Sequence, residues 1–408
     1  MVDDVISRRR FIQVGSGVAG ASLAMTAGMA AAVVQAGSGV RVIGRPMPDG
    51  VDLPSAPPVR KRQDSVGVAV VGLGSYALNQ MMPRFAQAER AHIAAIVSGS
   101  PDKLRTVGDA YGVPPESRYS YEAFDRIASN KGIDAAYIVL PTGLHAEWAI
   151  RAFAAGKHVL CEKPMALSSA DCERMIAAGR RANRKLMIAY RSQFEPYNLE
   201  AMRLMSQKAV GDIRLVRTEQ SYRLAPTSPS ENWRTNRALA GGGPLEDYGI
   251  YGLQSALYLT GEMPESISAT TFRPTGDPRF AEIFAHVSSQ WRFPSGAVAQ
   301  LVASYDSAGI NFAHVRGTQG VLIMDPATSY SGQKMRLEVG PSRDLTPGDP
   351  SAQFVRQINH FADAVRDNVP IRTPGEMGLR DLRLIEAIYA SAKAGRTVNL
   401  APDGRMRS

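Results

Sequence analysis

Short apolar runs alternate with longer amphipathic segments between residue 66 and about residue 189. The segments between the runs have helical periodicity, and one of them, 145–156, ends at Gly156, the residue type that most often ends a helix. Such alternation predicts a doubly wound α/β domain, in which a parallel sheet carries helices on both faces. We therefore assign residues 66–189 to one domain with this architecture. The predicted strands are 66–71, 92–97, 135–140, 158–161 and 185–190.

The pattern changes after residue 190. Apolar and polar positions now alternate with a period of two over longer segments, as half-buried strands require. These segments are 213–222, 283–293, 297–305 and 320–325. Near the C-terminus, residues 378–394 have the apolar spacing of an amphipathic helix that stops at Gly395. We expect residues 190–408 to form an α+β domain with a large, mostly antiparallel open sheet, which binds the substrate and supports oligomerisation.

The segment before residue 66 has neither period. Residues 37–65 contain five prolines and several glycines, so we expect an extended arm without a helix or strand. Residues 1–36 begin with a basic stretch, Ser7-Arg8-Arg9-Arg10-Phe11-Ile12, followed by an uncharged run rich in Gly and Ala. This order, with small residues up to Ala36, is typical of a cleavable twin-arginine (Tat) export signal.

A membrane anchor is the alternative, because the uncharged run is long enough to span a bilayer. Leu, Ile and Phe are scarce in it, which argues against firm insertion. We therefore expect export to the periplasm through the Tat machinery, with no stable membrane association after cleavage. The cleavage itself stays open at this point.

Composition changes this picture little. The formal net charge is +9, and removal of 1–36, with three arginines and two aspartates, would lower it to +8. No recognition motif accompanies this modest excess, so no nucleic-acid partner is expected. The two cysteines offer no disulfide framework, and the six histidines lack metal-ligand spacing, so we expect no metal site.

A glycine-rich turn follows the first predicted strand and precedes a helical run. The first glycine permits a tight turn, the second lets the backbone approach a pyrophosphate, and the helix N-terminus attracts the phosphates. This context predicts a dinucleotide site and identifies residues 66–189 as a Rossmann dinucleotide-binding domain. A glycine-rich turn that binds no nucleotide is the alternative. The residues of the turn are Gly72, Leu73, Gly74, Ser75 and Tyr76, with Ala77 after them.

The end of the second strand favours NADP over NAD. An NAD site places a carboxylate there for the ribose hydroxyls, whereas this chain has Ser98, with Ser100 and Lys103 further along. Hydroxyls and an ammonium group can bind a 2′-phosphate that a carboxylate would repel. Asp102 leaves NAD open, since its side chain could reach back to the ribose.

Two further segments carry candidate chemistry. Lys163 follows Glu162 at the end of the fourth predicted strand, on the edge of the sheet where ligands bind in such folds. Asp247 and Tyr251 follow three glycines and stand four residues apart on a predicted helix, so both side chains can face one cleft. A surface lysine and a core tyrosine are the alternatives to a catalytic role.

The ordered set of motifs resembles the glucose–fructose oxidoreductase and aldose–aldose oxidoreductase branch of the Gfo/Idh/MocA family. The motifs are G-L-G-S-Y-A-L-N-Q, Y-I-V-L-P-T-G-L-H-A-E, C-E-K-P-M and G-G-G-P-L-E-D-Y-G-I-Y-G-L. The resemblance covers nearly all of the chain after the signal, and it implies a sugar oxidoreductase with a tightly bound, non-dissociating NADP. Many members have His where Tyr251 stands, and Tyr marks this branch.

The resemblance also implies roles for individual residues. It makes Lys163, Asp247 and Tyr251 the catalytic and substrate-binding group, places Tyr330 in the substrate pocket and matches Ser98 to the 2′-phosphate position. It adds Pro141, His145, Glu162 and Lys163 to the cofactor site, although His145 could equally cap the helix that follows it. Tyr251 is the candidate acid/base, and a nearby Lys163 ammonium would help its phenol to ionise.

Export and cofactor chemistry together constrain the function. An exported enzyme that released its spent cofactor would stop after one turnover, so we expect a closed cycle: one aldose is oxidised at C1 to its lactone and a second sugar is reduced. The arm resembles one that wraps a neighbouring subunit and covers its cofactor, so we expect a homodimer or homotetramer. The alternatives are an ordinary sugar or anhydro-sugar dehydrogenase with exchangeable cofactor, and a non-catalytic NADP- or sugar-binding protein.

Overall fold

The computed structural model describes residues 35–36, 39–40, 45–60, 62–226 and 232–407. The predicted export signal lies outside these residues except for its last two positions. Two short strands, β1 (Gln35–Ala36) and β2 (Gly39–Val40), pair antiparallel. The arm thus contains one two-residue strand, β2, where the sequence predicted none. Within the described ranges, no helix is long and apolar enough to cross a membrane.

The first sheet has six parallel strands in the spatial order β5-β4-β3-β6-β7-β8. This is the doubly wound order of a Rossmann fold, and the direction of winding reverses between β3 and β6. The predicted α/β architecture is confirmed. The strands are β3 (Val66–Val71), β4 (Ala91–Val97), β5 (Arg118–Tyr119), β6 (Ala135–Ile138), β7 (His158–Glu162) and β8 (Leu186–Ala189).

Helices cover both faces of this sheet. A π-helical turn, Ala77–Met81, follows the glycine-rich turn and continues as α1 (Met82–Phe85). The next helices are α2 (Pro101–Ala110), α3 (His145–Ala154) and α4 (Ser169–Arg181). Proline at the first helical position and a serine N-cap start α2, while Ser168 caps α4. Alternate β3 side chains therefore contribute to two separate buried clusters, one under each helical layer.

The second sheet has nine strands in the order β16-β15-β14-β13-β9-β12-β11-β10-β17. All neighbours are antiparallel except β9 and β12, so the predicted mostly antiparallel sheet is confirmed. The strands are β9 (Ile213–Ser221), β10 (Ser266–Phe272), β11 (His286–Arg292), β12 (Val298–Ser304), β13 (Ile310–Gly317), β14 (Val321–Met324), β15 (Met335–Glu338), β16 (Ser342–Leu345) and β17 (Val398–Asn399).

One face of the second sheet carries helices. Helix α7 packs on the central strands and α9 on β10. A second π-helical turn, Leu245–Gly249, leads directly into α7. The terminal helix is three residues longer at its start than predicted, and Gly395 ends it in the left-handed conformation with φ +61°. The helices are α5 (Pro196–Ser206), α6 (Arg237–Ala240), α7 (Ile250–Thr260), α8 (Ala352–Arg366) and α9 (Gly375–Ala394).

Short 3₁₀ helices complete the connections. They are Pro115–Ser117, Phe124–Ser129, Thr142–Leu144, Arg191–Phe194, Trp233–Thr235 and Pro278–Phe280.

Two segments from outside residues 66–189 pack on the first sheet. Helix α8 lies against β3 and β4, and Met47, Val51 and Leu53 of the arm pack against the same buried cluster. Further along the arm, Pro57 lies so close to Gly112 that a Cβ atom there would come within 2.9 Å of it. The described part of the arm thus packs on its own chain, and the contact with a neighbouring subunit stays a prediction.

Candidate active site

The glycine-rich turn lies where β3 ends, beside the point at which the winding of the first sheet reverses. Gly72 has φ +100°, and a Cβ atom on it would lie 2.4 Å from the backbone oxygen of Val139. The Cβ position of Gly74, in contrast, has no neighbour within 4 Å. The first glycine is required by the fold, whereas the second leaves open space beside the backbone. Open space above a turn that leads into a helix fits the pyrophosphate of a dinucleotide.

Two alanine substitutions separate these roles, and we expect opposite results from them. Gly72→Ala should lower the free energy of unfolding by about 2 kcal/mol or more, because the new methyl group overlaps the Val139 oxygen. Gly74→Ala should change stability by less than about 0.5 kcal/mol yet reduce the NADP retained after dialysis. Urea unfolding and the nicotinamide absorbance measure the two effects. Unchanged retention in Gly74→Ala would place the pyrophosphate elsewhere.

Two of the side chains predicted to select NADP, Ser98 after β4 and Lys103 on α2, have hydrogen-bond partners within the chain. Lys103 is 5% exposed, and its Nζ donates a 2.7 Å hydrogen bond to the backbone oxygen of Leu73. Burial is the largest cause that lowers the pKa of Lys103, to about 8, followed by the nearby Arg45 of the arm. Ser98 is buried, and its hydroxyl oxygen accepts a 3.2 Å bond from the Ser100 amide. Lys103 thus stabilises the glycine-rich turn through the backbone of Leu73. Its contact with a 2′-phosphate stays a prediction.

The remaining predicted residues of the turn have different surroundings. Ser75 is exposed, and its hydroxyl accepts a bond from the Asn79 side chain. The Tyr76 ring lies 6.3 Å from the ring of Tyr330, centroid to centroid. Tyr76 therefore connects the predicted cofactor site with the predicted substrate pocket.

Three predicted residues lie at the ends of β6 and β7. Glu162 is buried, accepts a hydrogen bond from the Tyr137 hydroxyl, and has its pKa raised chiefly by burial. His145 joins the two strand ends, because its ring nitrogens lie 2.9 Å from the oxygen of Pro164 and 2.8 Å from that of Leu140. Pro141 stands at the start of the turn that precedes His145. His145 is engaged with backbone on both sides, and its contact with the cofactor stays a prediction.

Asp247 receives several hydrogen bonds. Its Oδ2 atom accepts from the hydroxyls of Tyr305 at 2.7 Å and Tyr222 at 3.1 Å and from Nε of Arg234 at 3.0 Å. Its Oδ1 atom lies 3.5 Å from Nζ of Lys163, which also donates to the Asp247 backbone oxygen. Burial opposes ionisation of Asp247, but Arg234 and Lys163 outweigh it, and the pKa of the carboxyl lies well below its usual range. Asp247 is therefore a carboxylate at neutral pH, and its Oδ1 atom has fewer hydrogen-bond partners than Oδ2.

Tyr251 is surrounded by cations. Its hydroxyl accepts a 3.0 Å bond from Nε of Arg191, and its ring centroid lies 4.4 Å from the Arg191 guanidinium and 5.1 Å from Nζ of Lys163. Burial raises the pKa of Tyr251, and Arg191 is the strongest influence that opposes it. The guanidinium carbon also lies 4.7 Å from the ring centroid of Tyr330, which is 41% exposed.

The structure brings Lys163, Asp247 and Tyr251 together and adds four side chains that the sequence did not indicate. Of these four, only Arg191 could have been found from the sequence, because it follows β8 on the same edge of the sheet as Lys163. The others stand on the second sheet or in a loop, 13 to 58 residues from the aspartate that they bind, and no local pattern connects them. The additional residues are Arg191, Tyr222, Arg234 and Tyr305.

The three glycines before Asp247 are held in place by its neighbour. Glu246 is buried and accepts 2.7 Å hydrogen bonds from the Gly242 amide and from the Tyr389 hydroxyl of α9. Burial raises the pKa of Glu246 to about 7. No group of three or more metal-ligating side chains converges in the part of the chain that the structure describes.

Comparison with known families gives two matches. Residues 66–190 match the GFO_IDH_MocA model, described as an oxidoreductase family with an NAD-binding Rossmann fold, and residues 198–323 match the GFO/IDH/MocA C-terminal domain. Together the two models cover more than half of the chain.

Individual relatives agree with these matches. The crystal structure of aldose–aldose oxidoreductase from Caulobacter crescentus, complexed with glycerol, is 47% identical, with a TM-score of 0.80 over 82% of this chain and 100% of that one. A D-xylose 1-dehydrogenase (NADP(+)) from Haloferax volcanii is 28% identical over 81% of this chain and 98% of its own. A 3-ketoreductase from Actinomadura kijaniata, solved with NADP and TDP-benzene, is 24% identical and shares the fold, with a TM-score of 0.72 over 80% of this chain and 98% of that one.

Proposed function

The chain belongs to the Gfo/Idh/MocA oxidoreductase family, and from that premise we propose that it is a periplasmic sugar oxidoreductase with a tightly bound NADP. It oxidises an aldose at C1 to the aldonolactone and then reduces a second sugar, a ketose or an aldose, to the alditol. Both half-reactions use the same cofactor molecule. The similarity to an aldose–aldose oxidoreductase over that protein's whole length supports this direction of chemistry.

The observation that carries the proposal is the meeting of Lys163, Asp247 and Tyr251 at one edge of the first sheet. NADP, when bound, supplies the hydride acceptor and donor. The Tyr251 hydroxyl exchanges the proton of the reacting C1 hydroxyl, and the Lys163 ammonium donates to the oxygen of that group. Because Oδ2 of Asp247 already accepts three hydrogen bonds, Oδ1 is the atom that orients the sugar.

The choice of NADP rests on the end of β4. Ser98, rather than a carboxylate, stands at the position that decides between the two cofactors. A relative named for NADP(+), the D-xylose 1-dehydrogenase, supports the same choice.

Export explains why the cofactor stays bound. The arginines Arg8, Arg9 and Arg10 direct the chain to the Tat machinery, and this route moves folded proteins with the cofactor already in place. An enzyme outside the cytoplasm then depends on two sugars and not on a cofactor pool. The arm, which packs beside the end of β4, contributes to retention.

The open face of the second sheet supports a homodimer or homotetramer. Phe272 on β10 is 55% exposed, and Ile310 on β13 is also exposed. Apolar side chains on a wide, exposed sheet face favour burial against another surface. A second copy of the chain is the occupant that fits an oligomeric member of this family.

One preparation tests these proposals together. We expect the full chain, expressed in a bacterium with a Tat pathway, to be recovered from the periplasmic fraction as an oligomer that carries NADP without added cofactor. Glucose alone should reduce the bound cofactor, and a second sugar should reoxidise it, as nicotinamide absorbance records. A variant with Arg8, Arg9 and Arg10 replaced by lysine is the control for export.

The two alternative functions predict different changes in the nicotinamide absorbance when sugars are added. If turnover requires free cofactor, the protein is an ordinary sugar dehydrogenase, the activity named in its D-xylose relatives. If no sugar reduces the bound cofactor, it is a binding protein. Either result would overturn the closed cycle.

A further inference from the structure

Arg191 is the most deeply buried cation beside the candidate active site. Its side chain is 2% exposed, and all three guanidinium nitrogens donate hydrogen bonds. The acceptors at the two terminal nitrogens are neutral: the backbone oxygens of Thr328 and Ser329 and the side-chain oxygen of Gln353. Arg191 forms no ion pair with a carboxylate anywhere in the described ranges, which is unusual for a buried arginine.

The charge of Arg191 acts on the buried carboxyl groups of Glu162 and Glu195 in the direction that lowers their pKa values, but neither carboxyl forms a salt bridge with it. Among the hydrogen-bond acceptors of Arg191 in the described ranges, only the Tyr251 hydroxyl, 3.0 Å from Nε, can become an anion. The ring centroids of Tyr251 and Tyr330 lie 4.4 and 4.7 Å from the guanidinium carbon, and Arg191 is almost fully shielded from water. Desolvation strengthens the attraction between the guanidinium and a phenolate.

Lys163 is differently engaged. Its ammonium group donates to the Asp247 backbone and lies 3.5 Å from the carboxylate, so a negative partner already balances its charge. Lys163 faces the ring of Tyr251 rather than its oxygen. The two cations therefore serve different anions.

We propose that Arg191 is a positioning residue that fixes the Tyr251 hydroxyl and stabilises its phenolate form, while Lys163 serves Asp247 and the substrate. The catalytic consequence rests on the proposed function. As the C1–H bond breaks, a hydride with both electrons leaves for the cofactor, and the C1 hydroxyl proton passes to the Tyr251 oxygen, leaving a C=O bond. Arg191 donates to that oxygen before and after the transfer, and the reverse step returns the proton to the second sugar.

The first test measures Tyr251 directly, without any substrate. The full chain is labelled with 3-fluorotyrosine, whose lower intrinsic pKa brings the titration into an accessible range, and ¹⁹F NMR follows it. The Tyr251 signal among the 14 tyrosines is the one that Tyr251→Phe removes. Arg191→Lys keeps the positive charge but loses the Nε donor. We expect it to move the midpoint up by about one to two pH units, the equivalent of one hydrogen bond to a charged group.

Matched variants guard the interpretation. Arg203→Lys, on the exposed side of α5, makes the same replacement far from Tyr251 and should leave the midpoint unchanged. If Arg191→Lys fails to fold, Tyr330→Leu, at a half-exposed position, should let water reach the guanidinium and move the midpoint in the same direction. Tyr330→Phe keeps the aromatic face and should not. Unchanged midpoints in both Arg191→Lys and Tyr330→Leu would overturn the proposal.

The second test separates positioning from mere structural support. Arg191→Lys should slow single-turnover reduction by an aldose about 10- to 100-fold at neutral pH and recover part of the rate at higher pH, while the steady-state KM for the aldose changes less than about threefold. A rise in KM with an unchanged pH profile would contradict the role. If wild-type protein is not reduced by any sugar, the proposed function fails, whereas the NMR result still decides the role of Arg191.

Discussion

Replacing Tyr251 with phenylalanine should slow sugar oxidation by about 10²- to 10⁴-fold while leaving the cofactor bound. The substitution removes only the hydroxyl that exchanges a proton with the substrate, and loss of a positioned acid/base has this magnitude. It also leaves Nε of Arg191 without its acceptor, so the free energy of unfolding should fall by about 1–2 kcal/mol. The ring keeps its contacts with Arg191 and Lys163, so the shape of the site should persist.

Single-turnover reduction of the bound cofactor by glucose measures the effect. The matched control is Tyr258→Phe on the same helix, whose hydroxyl hydrogen-bonds with Ser255 and Asn198, away from the site. The control should lose a comparable amount of stability and keep its rate. A Tyr251→Phe variant with a rate within about threefold of wild type would remove this hydroxyl from the mechanism.

Asp247→Asn should cause the second large loss, in both activity and stability. An amide keeps the size of the side chain but removes the charge that balances Arg234 and Lys163. Breaking a largely buried ion pair from one side costs about 3 kcal/mol, and we expect about that reduction in the free energy of unfolding at pH 7. Because Oδ1 orients the sugar in the proposed mechanism, the rate should fall at least about 10²-fold.

The stability difference between wild type and Asp247→Asn should depend on pH. The pKa of Asp247 is lower in the folded protein than in the unfolded chain. Its contribution is therefore fully present above the unfolded value of about 4 and is lost as the pH falls below it. Urea unfolding of both proteins should show a difference that narrows below about pH 4. Asp212→Asn, which removes an exposed carboxylate that pairs with Lys208 and Arg214, is the control and should change stability by less than about 0.5 kcal/mol. A constant difference across this range would assign the loss to packing.

The layout of the fold followed from periodic patterns. Strands such as Val66–Val71 are apolar throughout because helices bury both of their faces, and β12, buried on one face, alternates. The patterns did not reveal that β9 and β12 run parallel, because strand direction depends on the path of the chain between them. The patterns also did not place α8 on the first sheet, because an amphipathic helix has the same apolar spacing whichever sheet it packs against.

The sequence predicted only those residues of the candidate site that stand in local motifs. Lys163 stands at the end of a predicted strand and Tyr251 on a predicted helix, and both elements can be recognised from the sequence. Arg191, Arg234 and Tyr305 depend on contacts between elements that are far apart along the chain. The sequence also led to Lys163 as the cation that helps Tyr251 to ionise, whereas in the structure Arg191 contacts the hydroxyl. Residue spacing cannot show which of two cations that follow neighbouring strands of one sheet, β7 and β8, contacts the hydroxyl.

The π-helical turn at Leu245–Gly249 makes the site sensitive to the length of the chain as well as to its chemistry. A π-helical turn holds about one residue more than an α-helical turn. Deleting one residue there would let α7 extend as a regular helix, and the preceding positions would rotate by about 100° around its axis. Asp247 would then leave its partners while Tyr251 stayed in place. When homologues are aligned or variants are designed, the residue count of this turn is therefore a constraint in its own right, and a gap placed here signals an altered site even where every motif letter matches.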